Sequence, residues 1–236
     1  MPYQQKISNW FEQPRPHEQP PAAGNYYAGW VLLDEHAGTH CDPPSHWVPP
    51  LSSSLPRANK YGSIGVDQLE FQSLTGRARV IRVDHLIDTS GPGISPEIGL
   101  NEIERHEAEH GAIQAGDAVL FASGWDTRYV TGPAGSRWAT DVATGSIPGW
   151  PAPTAITIEA LHARGVTLVG TDGVSMGAAE NGDAAHYAGL SRGMVFVEAL
   201  CNLRDIPEVG AYFMFLPVKL VGASGGPGRA VAIVVD

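Results

Sequence analysis

Apolar positions along this chain gather into short runs rather than into the long stripes of a helical protein. Residues 118–122, Ala-Val-Leu-Phe-Ala, contain no polar side chain. That length and composition predict a strand buried on both faces. Residues 78–83, Ala-Arg-Val-Ile-Arg-Val, alternate and predict another strand. Further strands are expected over 29–33, 166–169, 194–199, 212–216 and 230–235, with a short helical or turn segment at 66–69. Two helices punctuate them. One runs over 101–111, with Asn101 as its cap, Glu102 and Glu104 in its first turn and Gly111 at its end. The other spans 157–164 and stops at Gly165. Strands dominate, which predicts a mixed α/β, β-rich domain over 31–236.

Residues 1–30 read differently. Pro14, Pro16, Pro20 and Pro21 break any long helix there, among the aromatics Trp10, Phe11, Tyr26, Tyr27 and Trp30. An arm is expected, packed on the surface, walling a pocket or reaching a partner subunit. Trp10 and Phe11 are its candidate substrate contacts.

Charge and cysteine usage narrow the setting. The formal net charge of −10 comes without a basic cluster, which argues against nucleic acid and anionic membranes as partners. No apolar run is long enough to span a bilayer, and the first residues lack the build of a secretory signal. Cys41 and Cys201 are the only cysteines, so a disulfide framework is excluded and a cytoplasmic location is the default.

The chemistry concentrates in His36-Ala-Gly-Thr-His40-Cys-Asp42-Pro-Pro-Ser-His46. Imidazole and carboxylate are ligands for zinc, manganese and iron. Gly38, Pro43 and Pro44 exclude a regular helix, so a strand end feeding a loop is expected. In an extended segment His36, His40 and Asp42 share one parity and can converge on one ion. His46, beyond the two prolines, is expected beside the ion as the catalytic acid–base. A purely structural, non-enzymatic metal site is the competing reading. Structural zinc usually takes four protein ligands, often Cys, and Cys41 has the wrong parity.

Two other motifs carry less. His106-Glu-Ala-Glu-His110 matches H-E-x-x-H, but Gly111 ends its helix at once and no third ligand follows at the usual spacing. An acidic, solvent-facing helix is expected instead. Gly173-Val-Ser175-Met-Gly177 matches a nucleophile elbow, but an acid and then a His do not follow on separate strands. That segment is expected to be a Gly-rich loop near the site, with the role of Asp172 left open. His186, in a loop-like stretch, and Glu198, in an apolar strand, remain as candidates. An unpaired carboxylate in such a strand is costly to bury, so it needs an ion-pair partner or a metal.

The pattern His-x-Gly-Thr-His-x-Asp-x-Pro-x-His resembles the signature of the cyclase family, which includes bacterial kynurenine formamidase and isatin hydrolase. Gly124-Trp125-Asp126, Ile147-Pro148-Gly149, Leu216-Pro217-Val218-Lys219 and Gly225-Gly226-Pro227-Gly228-Arg229 resemble later family segments in the same order. The resemblance implies a swivelling β/β/α fold. It also implies a first metal position at His36, His40 and Asp42, and a second at Asp42, His186 and Glu198. Zinc or manganese, one or two ions per chain, would serve hydrolysis of a lactam, lactone or N-formyl amide, with kynurenine formamidase itself as one version. Trp125 joins the candidate substrate contacts, and a homo-oligomer is expected.

Overall fold

The computed structural model describes residues 4–10 and 27–234. In chain order the strands are β1 (Gln4–Trp10), β2 (Tyr27–Leu32), β3 (His40–Asp42), β4 (Thr75–Arg82), β5 (Glu97–Ile98), β6 (Ala118–Ala122), β7 (Ala152–Pro153), β8 (Leu168–Thr171), β9 (Val195–Glu198), β10 (Ala211–Pro217) and β11 (Gly226–Val234). The helices are α1 (Leu100–His110), α2 (Thr140–Ala143), α3 (Ala155–Ala163) and α4 (Asp183–Leu190). No helix among the described residues is long and apolar enough to cross a membrane.

Seven strands close into a barrel in the order β10-β11-β3-β9-β8-β6-β4. The run β4, β6, β8 and β9 is parallel, and β3, β10 and β11 are antiparallel to their neighbours. Strand parity sorts side chains into two cores. Cys41, Val80, Leu120, Leu168, Val197, Phe213 and Phe215 belong to one, the barrel interior. Val119, Phe121, Val169 and Phe196 point the other way and pack with Ile103 of α1, Ile158 and Leu161 of α3 and Ala185 and Ala188 of α4. Strand β6 is therefore apolar at every position because both of its faces are buried. A smaller cluster gathers Trp125, Val142, Trp150 and Ala152.

The structure refines several boundaries. Helix α1 begins at Leu100 after Gly99, with no side-chain cap; Asn101 lies inside it and its Nδ2 donates to Glu102 Oε1 at 3.0 Å. Nor is that helix simply solvent-facing, since Glu102 and His106 are buried. Helix α3 starts two residues before the expected point. Thr154 is its cap, accepting from the Thr157 N–H at 3.1 Å, while the Thr157 hydroxyl donates to the Ile98 carbonyl. His186 falls within α4 rather than in a loop. β2 pairs with β1 in a separate two-stranded sheet and does not enter the barrel.

Gly189 shows how tightly α4 sits on the barrel. An alanine in a helix normally gains about 1 kcal/mol over glycine. Here an added Cβ would run into the ring of Phe196, meeting its Cε1 at 2.8 Å, and Phe196 is fully buried. Overpacking of that kind costs about 1–3 kcal/mol. Gly189→Ala is therefore expected to lower the midpoint of urea unfolding; a higher midpoint would show that the helix–barrel contact yields.

Candidate metal centre

Strand β3 is only three residues long, yet its register places the chemistry. His40 stands opposite Glu198, Cys41 opposite Val197, and Asp42 opposite Phe196. Cys41 and Val197 face the barrel interior, so His40, Asp42 and Glu198 emerge together on the outer face. His186 of α4 meets them there. His36 arrives by a route other than strand parity. It lies in a turn closed by Ala37 N–H to Asp34 O at 3.1 Å, with Gly38 at φ +64°. Only glycine adopts that conformation cheaply. After Asp42, Pro43 and Pro44 lead into a single 3₁₀ turn, Pro44–His46, that turns His46 back to the same place.

Every distance within the cluster is short. His36 Nδ1 is 2.9 Å from Asp42 Oδ1, and His40 Nε2 is 3.4 Å from Asp42 Oδ1 and 3.5 Å from Glu198 Oε2. His186 Nε2 is 3.0 Å from Glu198 Oε1 and 3.6 Å from Asp42 Oδ2. His46 Nε2 lies 3.8 Å from Asp42 Oδ2, with its ring 4.1 Å from that of His36. Two groups, His40/Asp42/Glu198 and His36/Asp42/His46, have the spacing of metal donors and share Asp42.

Each donor is aimed from behind. His40 Nδ1 bonds the Gly38 carbonyl at 2.8 Å, and His186 Nδ1 bonds the Gly182 carbonyl at 2.6 Å. Both bonds put the ring proton on Nδ1 and turn the Nε2 lone pair inward, as in metal-ligating histidines. His36 Nε2 lies 3.4 Å from Ser224 Oγ, which donates to Glu35 Oε2. Glu198 Oε1 accepts from the Met176 N–H at 2.6 Å and from Ser175 Oγ at 3.3 Å. Ser175 thus serves a carboxylate, with His186 Nε2 directed at Glu198.

Burial makes this cluster electrostatically demanding. Burial alone would raise the Asp42 pKa, but the close imidazoles of His186, His36, His46 and His40 outweigh it and hold the carboxyl well below its usual range. Burial and Asp42 both push Glu198 up, and its bonds to His186 and His40 win and bring it down. Burial opposes charge on His40, yet Glu198 and Asp42 raise it to about 9; the same balance raises His186 to about 10. His46 goes the other way, lowered chiefly by burial against the opposing pull of Asp42. Asp42 Oδ2 is buried and has no hydrogen-bond partner. A cluster of imidazoles and carboxylates around such a residue suits a divalent cation.

Some candidates fall elsewhere. Trp125 is fully buried, its Nε1 donating to the Trp138 carbonyl and its ring 6.2 Å from Trp150. Trp10 is the last residue of β1, and Phe11 lies outside the described residues. Asp172 holds the turn after β6, accepting from the Ser123 hydroxyl and the N–H groups of Ser123 and Gly124, and burial raises its pKa to about 6. A residue without any motif also joins the site. Trp47 stacks on His186 at 4.5 Å and 18°, and its Nε1 donates to Asp183 Oδ1 at 2.7 Å, which also receives Arg57.

Known proteins share this arrangement of sequence and fold. The chain is 33% identical over 221 residues to the isatin hydrolase of Roseibium aggregatum, covering 89% of this chain and 76% of that protein. It is 29% identical over 204 residues to the kynurenine formamidase of Salinibacter ruber, covering 86% and 78%. A crystal structure of an isatin hydrolase bound to the product analogue thioisatinate superposes with a TM-score of 0.71 at 27% identity, covering 89% of this chain and 76% of that one. The Cyclase family model matches residues 1–178, a span that includes the whole His36–His46 run and stops short of His186 and Glu198. The chain belongs to the cyclase family.

Proposed function

We propose that His36, His40, Asp42, His186 and Glu198 hold one or two divalent ions, zinc or manganese, and that His46 moves the proton in hydrolysis at that centre. The observation that carries this reading is the buried, unpartnered Asp42 Oδ2, with His186 Nε2 at 3.6 Å and His46 Nε2 at 3.8 Å. The chain is a metal-dependent amide hydrolase, as its isatin hydrolase and kynurenine formamidase relatives indicate. A divalent ion in such a site supplies an activated water and an electrophile for a carbonyl oxygen. The protein's own groups do the rest. His46, neutral near pH 7, accepts a proton at Nε2 and returns it to the leaving nitrogen or oxygen. Asp42 stabilises the imidazolium formed in between. Trp47 braces His186 and offers an aromatic edge to His46, 5.4 Å away.

The substrate class supported by these relatives is a cyclic amide, lactone or N-formyl amide, with kynurenine formamidase activity as the specific alternative. A screen of such compounds against chelator-treated and metal-restored protein tests it. Restored turnover with stoichiometric zinc or manganese is expected, and turnover untouched by chelation would sink the reading. The His shifts add a signature. Raised pKa values mean that protonated His40 and His186 stabilise the ion-free fold fully below about pH 6.5, their unfolded value. That stability is lost as pH rises through about 9 and about 10. Ion-free protein is therefore expected to weaken from neutral to alkaline pH while the ion-loaded protein does not, measured by thermal melts.

His46→Ala is expected to keep its metal and lose turnover by about 10²–10⁴-fold, the usual range for a general acid–base. Loss of metal together with activity would make His46 a ligand, a role its grouping with His36 and Asp42 also permits.

A cytoplasmic homodimer fits the remaining surface. Cys41 and Cys201 are both free thiols. Trp30, Val31 and Leu32 are exposed in succession on a two-stranded sheet, with exposed Leu33 just beyond it, an arrangement that is marginal in water without a further covering surface. Light scattering is expected to give twice the mass of one chain, 25.0 kDa; a monomer at working concentration would exclude it.

A further inference from the structure

We propose that His106, His110 and Glu208 form a second, peripheral site for a zinc-class divalent ion, built apart from the cluster on β3, β9 and α4. His106 and His110 lie four residues apart on α1, so their rings rise from one face, with centroids 4.9 Å apart. Glu208 comes from the connection that precedes β10. Its backbone is pinned to the barrel by Val80 N–H to Glu208 O at 2.9 Å. Its Oε2 reaches His110 Nε2 at 2.9 Å and His106 Nδ1 at 3.7 Å. Donor atoms of all three residues lie within 4.8 Å of one another. Tetrahedral zinc with bonds near 2.0–2.1 Å sets its donors about 3.3 Å apart, between those two separations.

A second observation points to a ligand. His106 is buried, and its Nδ1 has no hydrogen-bond partner. That atom faces the Glu208 carboxylate, close enough to share an ion with it but too far for a hydrogen bond. Burial and the nearby Arg79 hold His106 down at about 4, so it is a neutral imidazole at physiological pH. Half-buried His110 and Glu208 leave the remaining coordination position open to solvent.

The sequence motif here is H-E-x-x-H, but the chemistry is not that of a zinc protease. Glu107, which would be the base, is paired with Arg164 through both carboxylate oxygens and accepts the Ile113 N–H. With Glu107 held this way the motif's base is not available to a water, so the site binds rather than catalyses; the exposed Glu109, whose Oε2 is 3.8 Å from His110 Nε2, adds negative charge beside it. With two imidazoles it prefers zinc, nickel, copper or cobalt over magnesium or calcium. Its effect is to clip the carboxyl end of α1 to the strand connection before β10.

Arg79 works against the ion. Its Nε donates to His106 Nε2 at 3.2 Å, and its Nη2 bonds the carbonyls of His110 and Gly111. With Nδ1 on a metal, Nε2 carries the proton, and the Arg79 Nε–H must turn away. The guanidinium keeps its two carbonyl acceptors while it does so. This opposition makes the site weaker than the one on β3 and β9.

Zinc titration of the full chain by equilibrium dialysis, with cobalt absorption as the geometric readout, tests the assignment. The wild type is expected to bind one zinc equivalent more than His110→Ala or Glu208→Gln, and to give a tetrahedral cobalt band that both variants lose. Turnover at the first site should stay unchanged in both. Equal stoichiometry and affinity in all three proteins would overturn the proposal. So would loss in His110→Ala with none in Glu208→Gln, because the carboxylate would then not be a ligand. His40→Ala separates this result from the main centre: it should lose zinc there and keep the equivalent that depends on His110.

Discussion

Two buried carboxylates on adjacent strands govern this structure. Asp42 on β3 and Glu198 on β9 are almost wholly withdrawn from water, on the same outer face of the barrel. Leaving even one ionised carboxylate unpaired there would cost several kcal/mol, a sizeable part of the stability of an ordinary domain. The surrounding layout answers that cost. His40 and His186 are oriented by backbone carbonyls, His36 is brought in by a glycine turn, and Ser175 and Met176 hold the Glu198 oxygen that faces His186. Protons on the imidazoles or a cation among them can balance the charge, and the two compete. The groups that stabilise the fold are therefore the same ones that would hold the ion proposed here.

The barrel supplies what such a centre requires, which is immobility. Strand β6 is apolar on both faces, and the apolar residues of its parallel neighbours divide the same way, one set filling the barrel and one seating α1, α3 and α4. Helix α4 has no room to shift, because Gly189 lets it rest on the ring of Phe196 and that ring sits edge-on to His186 at 5.8 Å. Packing and ligand geometry are thus coupled through a single phenylalanine. Trp47 closes the opposite side of His186, tied through Asp183 to Arg57.

Much of this was legible in the residues, and the parts that were not have physical reasons. The strands over 118–122 and 166–169 announce themselves because a buried strand must be apolar, the one over 78–83 by alternation, and the His36–His46 run because few other needs gather three imidazoles and a carboxylate. His36 reaches the site for a different reason than alternation suggests: the chain turns at Gly38 instead of running extended. Helix α1 starts at Leu100 and α3 at Ala155, ahead of the positions expected, because a start is decided by geometry: Asn101 only looks like a cap from its chemistry, and the turn before Thr157 carries no pattern. His186 reads as loop because Gly182 and Asp183 precede it, yet those residues open α4. Trp47, Ser224 and Glu35 carry no pattern at all; their roles arise only where distant segments meet. The H-E-x-x-H run was legible as a motif, while its partner Glu208 lies about a hundred residues further on, invisible to any local spacing rule.

Cys41 sits between two donors in sequence and yet takes no part, because the pleat of β3 turns its sulfur into the barrel. Burial, reinforced by Asp42, pushes its thiol pKa upward, so it stays protonated and poorly nucleophilic. Thiolate is the ligand that draws soft ions such as cuprous copper, and it is also the first target of peroxide. A slip of one residue in β3 would bring that sulfur to the outer face and carry His40 and Asp42 into the barrel. The strand's register therefore acts as a chemical filter: it presents imidazole and carboxylate on the outer face and withdraws the Cys41 sulfur from that face and from water.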